Sequence, residues 1–381
     1  MSNEFKRKLE AYEKGELSDS ELEDFEKELE KLEKYQEFLE ENNTEQMKDF
    51  NINEKRQQKI LKRSKWKARM QTAFFALGVV LVFTFVSSIL TAVYYSWGKP
   101  DRVDVFRNII DYTLTVTDPY GYLGRTSTNS SPYFSLNARR DLFKKVGDET
   151  IKVGELKNKF IFSMMSYPES IYFGKSSEAQ PTFSYPKVGE HHMMSDWNRL
   201  EKLSEGTVVS AFVSFADLIE TKKVFQLFEG KEMDVIWFAV DTGFEGKHEG
   251  VIDEPIGFPS FPIWHDDDMI LDSREVKKGL FGSRIISEGH SSPEYNVGDQ
   301  KVLHKQFLKT LSFLKDHERK ANNLYFGKLD LSERIDFLER NGIKHYGVVI
   351  TGPTKEILKL REEPWVGELK VDEVSFWNWD R

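Results

Sequence analysis

The stretch QTAFFALGVVLVFTFVSSILTAVYYSWG (residues 71–98) runs for 28 residues without a charge, and its reading decides the architecture of the chain. At ~1.5 Å rise per residue, the ~20 residues that cross a ~30 Å hydrocarbon core fit inside it with slack for tilt. Its centre is rich in Phe, Val, Leu and Ala. Tyr94, Tyr95 and Trp97 cluster at one end and Trp66 precedes the other, where interfacial anchors belong. A soluble helix of this composition would need covering on every side. A cleaved signal peptide does not fit either, because the run is too long and begins only at residue 71. The stretch reads as one transmembrane helix.

The flanks orient it. Residues 56–70 carry seven Lys/Arg, whereas residues 99–113 carry three together with Asp101, Asp104 and Asp111. The positive-inside rule puts residues 1–70 in the cytoplasm and 99–381 outside. Charge is uneven further out as well. Residues 1–50 hold eight Lys/Arg against seventeen Asp/Glu, and residues 51–70 hold eight Lys/Arg against Glu54 alone. An acidic head, a basic collar and a mildly acidic body follow one another. The collar can meet anionic lipid, although a topology signal accounts for it. The net charge of −9 argues against direct nucleic-acid binding by the whole chain. With no cysteine, disulfides, thiolate zinc sites and cysteine catalysis are excluded.

In the head, Phe5, Leu9 and Tyr12 form one stripe of a short helix, and Gly15 is placed to end it in a left-handed conformation. Ser18 reads as the next N-cap, Glu21 completes a capping box, and Leu17 and Leu22 can form a hydrophobic staple. A sharp turn at 15–18 follows. The second helix shows Leu22, Phe25, Leu29, Leu32 and Leu39 at spacings of three and four, interrupted by Gln36 and widened by Tyr35 and Phe38. About forty residues cannot build an independent core, so this stripe should dock onto something. The open choices are a second copy in a coiled coil, a membrane neighbour, or a cytosolic protein. The aromatics and the acidic charge favour helix-in-groove binding to a basic partner.

YEKGELSDSELEDFEKELEKLEKY (residues 12–35) resembles the heads of anti-sigma factors that control extracytoplasmic-function sigma factors. NEFKRKLEAYEKGELSD (3–19), the single span, YGVVITGPTKEILKL (346–360) and VSFWNW (374–379) together resemble the membrane-bound sigma-factor-regulator family, of the anti-sigma-M type found in bacilli. These stretches fit its N-terminal and C-terminal domains; residues 120–200 carry less of the likeness. The resemblance implies a Gram-positive regulator that sequesters a sigma-M-like sigma factor at the inner membrane face and releases it on cell-envelope stress. A second membrane regulator is a further implied partner. The docking residues would be Leu22, Phe25, Leu29, Leu32, Tyr35 and Phe38, helped by Phe5, Leu9 and Tyr12. Many relatives carry a His-x3-Cys-x2-Cys zinc set just after the turn. Those positions fall on Glu28, Leu32 and Tyr35, so this head would be zinc-free.

The body reads in two parts. Residues 99–205 are expected to be β-rich, with short strands at 112–117, 160–166 and 170–173 and a loop at 121–131. In residues 206–381, strand, helix and strand fall at 207–215, 221–228 and 233–240, and again at 346–351, 354–360 and 368–377. Thr-Lys opens both helices, at Thr221 and Thr354. Two such units suggest duplicated βαβ units in a mixed α/β domain with a shared sheet. Further helices are expected at 301–322, with Leu303, Phe307, Leu311 and Leu314 on one face, and at 332–340, capped by Ser332.

No G-x-S-x-G, H-E-x-x-H or phosphate-cradling G-x-x-x-x-G-K-[ST] occurs, and no catalytic residue or cofactor is expected. ITGPTKE (350–356) lacks the glycine spacing of a phosphate loop, and a helix start with Pro353 in its first turn explains it. WHDDD (264–268) reads as a solvated acidic loop before it reads as a cation site. HHMM (191–194) is a weak metal candidate. The expected architecture is α+β: a helical hairpin head (1–50), a basic segment (51–70), a transmembrane helix (71–98), a β-rich region (99–205) and an α/β regulatory domain (206–381). The competing readings are a structural envelope protein with a self-associating head and a tethered receptor.

Overall fold

The computed structural model describes residues 3–46, 54–174, 181–186, 195–247, 250–279 and 282–377. His191, His192, Met193 and Met194 lie outside the described residues, as do the last two residues of VSFWNW. The chain forms two compact units, 1–82 and 83–381. It is a mixed α+β chain with N-terminal helices, one long apolar helix and antiparallel sheets beyond it.

In the first unit, α1 (Asn3–Glu13) ends where Gly15 takes φ +66°. Glu16 N–H donates to Ala11 O at 3.0 Å and Gly15 N–H to Tyr12 O at 3.1 Å, the paired bonds of a Schellman stop. Helix α2 (Asp19–Gln46) starts on the expected cap, but the box closes from one side. Ser18 N–H donates to Glu21 Oε2 at 3.1 Å, and the Ser18 hydroxyl donates to the same oxygen at 2.5 Å. Helix α3 (Glu54–Tyr95) joins the basic collar and the apolar run in one element. Its segment Lys59–Tyr95 is strongly apolar at its centre and almost entirely uncovered. It is the one described helix long and apolar enough to cross a membrane.

The second unit continues with α4 (Arg102–Thr117), capped by Asp101, whose side chain accepts from Asp104 N–H at 2.8 Å. The strand expected at 112–117 is the last part of this helix. Its threonines satisfy themselves within it: Thr113, Thr115 and Thr117 hydroxyls donate to the carbonyls of Ile109, Asp111 and Thr113 at 2.7–2.8 Å. Packing of Phe106, Ile109, Ile110 and Val116 then outweighs the β-branched preference for strand.

An antiparallel sheet follows, of β1 (Ser127–Ser131), β2 (Ser135–Val146), β3 (Glu149–Ile161), β4 (Met164–Met165) and β5 (Glu169–Tyr172). Strand β1 occupies the second half of the expected loop at 121–131. After β6 (Phe183–Ser184) and α5 (Trp197–Glu201) come β7 (Thr207–Glu220), α6 (Thr221–Phe228), β8 (Asp234–Val240), β9 (Val251–Ile252) and β10 (Gly257–Pro259). Then follow β11 (Ile270–Gly279), β12 (Gly282–Ser291), α7 (Gln300–Asp316), α8 (Glu318–Tyr325), α9 (Leu331–Asn341), β13 (Lys344–Pro353), α10 (Thr354–Leu358) and β14 (Val366–Phe376).

The central sheet has the order β10-β8-β13-β7-β14, and every pairing in it is antiparallel. Both expected strand–helix–strand units are present, but neither places its two strands side by side. Strand β13 lies between β7 and β8, and β7 lies between β13 and β14. The arrangement is therefore the split β-α-β kind, in which each unit fills the gap of the other. One face carries Val209, Val213, Phe238, Val348 and Leu369 under Phe307 and Leu311 of α7. The opposite face carries Phe212, Trp237, Ala239 and Val349 against Phe183 and Tyr120.

Two helix expectations need correction. The helix foreseen at 301–322 breaks at His317 into α7 and α8, while Leu303, Phe307, Leu311 and Leu314 are all buried. The cap of α9 is Asp330, in a left-handed conformation, not Ser332. The carboxylate of Glu318 reaches across from α8 and accepts the Leu331 N–H at 2.8 Å, so a long-range contact replaces the local cap.

Candidate partner-binding site

The head divides its apolar residues between two jobs. Phe25 turns inward and is 1% exposed, with its ring centroid 5.6 Å from Phe5 and 5.4 Å from Tyr12. Phe5, Leu22 and Leu29 are half-buried around it. Leu9 and Tyr12 lie at the margin, more exposed than these. Further along α2 the row stays open: Leu32, Tyr35 (62% exposed), Phe38 (59%) and Leu39. The cause is length. Helix α1 has 11 residues and α2 has 28, so α1 can cover only the first turns of its neighbour. The periodicity of the sequence identified the row but not this division, which depends on where the covering helix stops.

On the polar side, Lys27 pairs with Glu23 at 2.9 Å and Lys34 with Glu30 at 2.8 Å, each one helical turn apart. All four side chains are well exposed, so water and salt screen these pairs and they do little to hold the helix. The hydrogen bonds from the Ser18 side chain and backbone hold the Glu21 carboxyl below its usual range. Glu28, Leu32 and Tyr35, where zinc ligands would fall, are all exposed. The arrangement offers one chemistry, which is burial of apolar surface. Each side chain fully covered by a partner is worth roughly 1.5–3 kcal/mol.

The C-terminal body holds a second feature that the sequence did not reveal. A cavity of about 540 Å³ is bounded by Leu114, Asp118, Tyr120, Lys144, Phe212 and Tyr325. At its wall Lys144 pairs with Asp372 at 2.5 Å, Tyr120 Oη donates to Asp372 Oδ2 at 2.7 Å, and Tyr120 and Ser210 share a hydrogen bond. Burial pushes the Asp118 carboxyl up, partly opposed by the Tyr120 N–H that it accepts. These groups come from separate strands and loops, so no contiguous motif announces them. In WHDDD the three carboxylates do not meet at one point, and two of them share a lysine. Asp267 and Asp268 both accept from Lys309 Nζ at 2.7 Å, and Asp266 accepts from Asn108 Nδ2 at 3.2 Å. Among the described residues no cluster of three or more His, Asp or Glu is set to hold a metal ion.

The chain thus joins N-terminal helices and one long apolar helix to a C-terminal region of antiparallel sheets. The sigma factor regulator C-terminal model matches residues 200–373, and the sigma factor regulator N-terminal model matches residues 58–151. The chain belongs to the sigma factor regulator family. It is 28% identical to the probable anti-sigma-M factor YhdL of Bacillus subtilis (strain 168) over 385 aligned residues, which cover all of both chains. No solved structure matches it. The N-terminal match begins in the basic collar and runs through the apolar helix into β3, so the helical head lies outside both family models.

Proposed function

We propose that this chain is a single-pass membrane anti-sigma factor that sequesters an extracytoplasmic-function, sigma-M-like sigma factor at the inner face of the membrane. The observation that carries the reading is the open row Leu32, Tyr35, Phe38 and Leu39, continuous with a head that has its own small core around Phe25. The family membership and the relative's printed name supply the class of partner. The surplus of Lys/Arg in 56–70 over 99–113 supports a cytoplasmic head and an extracytoplasmic body. The acidic head suits a sigma factor's basic nucleic-acid-binding faces. Phe5, Leu9, Tyr12, Leu22, Phe25 and Leu29 shape and hold the docking helix, and the open row makes the contact. The domains are then a head (1–50), a basic segment (51–70), a span (71–98) and an extracytoplasmic body (99–381) that senses envelope stress, directly or through a second membrane regulator. The reading needs no zinc, no other cofactor and no catalysis.

The test uses the full chain in membranes, co-expressed with its cognate sigma factor. Tyr35→Asp and Leu32→Asp should leave membrane level and head helicity unchanged while lowering sigma retention about 30-fold, the equivalent of ~2 kcal/mol at a docking hot spot. Phe25→Asp should lose head structure and sigma together. Full retention by both open-row variants would sink the proposal, and self-association of the head without sigma capture would favour a structural coiled coil.

A further inference from the structure

The β1–β2 and β3–β4 turns of the body are built unlike its other turns. Residues 126–138 and 160–168 are both free of charge, and Arg125, Arg139, Lys159 and Glu169 bracket them. At the tips stand Tyr133, Phe134 and Phe162, with φ of 66°, 55° and 55°. Left-handed backbone favours glycine, and an aromatic residue there is strained. Three of the five non-glycine residues with positive φ among those described sit at these two tips. Large apolar side chains are held where glycine would be easier, and they point outward: Tyr133, Ile161, Phe162 and Met164 are all exposed, Met164 by 67%.

The tips do not hang free. They lie along the last turns of α3, within the same compact unit. Tyr133 N–H donates to Ser87 Oγ at 2.7 Å, and Phe134 N–H donates to Thr91 Oγ1 at 2.9 Å. Tyr133 Oη and Thr84 Oγ1 are 2.7 Å apart. Tyr95 Oη donates to Phe134 O at 2.8 Å, and Phe162 N–H donates to Phe134 O at 2.9 Å. The Phe134 and Phe162 rings stack at 4.4 Å, and Tyr94 packs edge-on against both. These backbone groups are thus paired without water, as a hydrocarbon environment demands.

Depth follows from counting along the helix. The last charge before the apolar run is Arg69. Twenty residues from 71 at ~1.5 Å each place the far hydrocarbon boundary near residue 90. Tyr133 meets the helix at Thr84, about 9 Å inside that boundary. On the strand side, Lys159 precedes Phe162 by three residues, which is again about 10 Å. Both routes give the 5–10 Å at which interfacial elements insert.

We infer that the two tips form an aromatic wedge that sits in the outer leaflet beside the transmembrane helix, so that lipid is the partner of this surface. The inference rests on the proposed reading of residues 71–98 as a span. It gives the body a direct physical contact with the bilayer, beyond the tether. Bilayer thickness or packing would then act on β2 and β3 through the strain at the tips.

The chain has no cysteine, so single-cysteine variants of the full protein can each carry one nitroxide label in phosphatidylglycerol/phosphatidylethanolamine vesicles. The sites are Met164→Cys and Ile161→Cys at the tip, Phe85→Cys in the apolar helix, and Val297→Cys, 85% exposed, as an aqueous reference. The ratio of oxygen to water-soluble nickel collisions should be several-fold higher at Met164 and Ile161 than at Val297, approaching that at Phe85. If Phe85 is lipid-exposed while both tip sites match Val297, the wedge is overturned and the span stands. If Phe85 itself meets nickel freely, span and wedge fall together.

Discussion

Phe25 in the head and Trp237 in the body are both fully buried aromatic residues, yet they hold very different structures. Phe25 is covered by one short helix, and among the described apolar side chains of residues 1–82 it alone is fully buried. Trp237 lies in β8 within a sheet covered on both faces, with its indole N–H donating to Thr115 O at 3.1 Å. Its ring packs against Gly257, where an added Cβ would fall 2.6 Å away. The central sheet of the body covers its apolar faces internally, whereas the head keeps most of its stripe uncovered. A surface left open on a minimal core is suited to exchange between solvent and a partner; a closed core is suited to holding a shape.

The largest effect that separates the two regions is a core truncation. Trp237→Ala should destabilise the body by roughly 3–5 kcal/mol, through lost burial and an unfilled cavity. Thr115 O also loses its donor. Thermal unfolding followed by near-UV circular dichroism would register this as a collapse of the body's transition. Sigma retention by the head should be unaffected while the protein stays in the membrane. If retention fell in parallel, the two regions would be folding as one.

Acidification separates them next. All eight histidines lie beyond residue 190, so the head has none. In the body, burial pushes the His345 pKa down to about 3. Its Nε2 is 2.7 Å from Thr221 Oγ1, which also lies 2.6 Å from His304 Nε2. Burial lowers His304, His265 and His317 as well. The unfolded chain takes up the His345 proton below about pH 6.5 and the folded body only near 3. Stability from this neutral histidine is therefore complete above 6.5 and declines as pH falls, by about 2 kcal/mol at pH 5. Asp118 and Asp241, whose carboxyls burial pushes up, pull the other way. His345→Gln isolates the histidine part: its melting temperature should fall less between pH 7 and pH 5 than that of the parent chain. Equal falls would remove His345 from the account.

What the sequence disclosed depended on how local the deciding interaction is. Gly15 and Ser18 were readable because a left-handed stop and a cap are fixed by a few neighbouring residues. Helices α6 and α10 do begin at Thr221 and Thr354, but without a local side-chain cap: the Thr221 hydroxyl bonds His304 and His345, and the Thr354 hydroxyl bonds Thr207, all far away in sequence. Residues 112–117 misled because their β-branched composition was weighed without the packing of α4. Ser332 misled because Glu318, thirteen residues before Leu331, supplies the missing acceptor. The antiparallel order was hidden because β13 inserts between β7 and β8 from more than a hundred residues away. In the candidate site the apolar stripe was legible, but the inward turn of Phe25 was not, since periodicity marks a face without saying what covers it.

The smallest effect concerns the turn itself. Ser18 contributes its N–H and hydroxyl to Glu21 at the start of α2, and Glu21 is fully exposed to solvent. Ser18→Ala keeps the backbone bond and loses the hydroxyl's bond to a carboxylate that stays in water, so the loss is small. In the body, with its closed core, such a loss would be hard to detect. In the head it loosens the first turn of α2, which leads into the packing of Phe25 against Phe5 and Tyr12, the one fully buried ring among the described residues there. Helicity of the head should therefore fall measurably without a partner and recover when the sigma factor is bound, since binding to the folded form is linked to its stability. Amide exchange at Leu22 and Phe25, measured in the full chain with and without partner, reads this directly. Unchanged exchange in the free protein would mean that the head is held by more than Phe25 and its cap, and the contrast with the body would weaken accordingly.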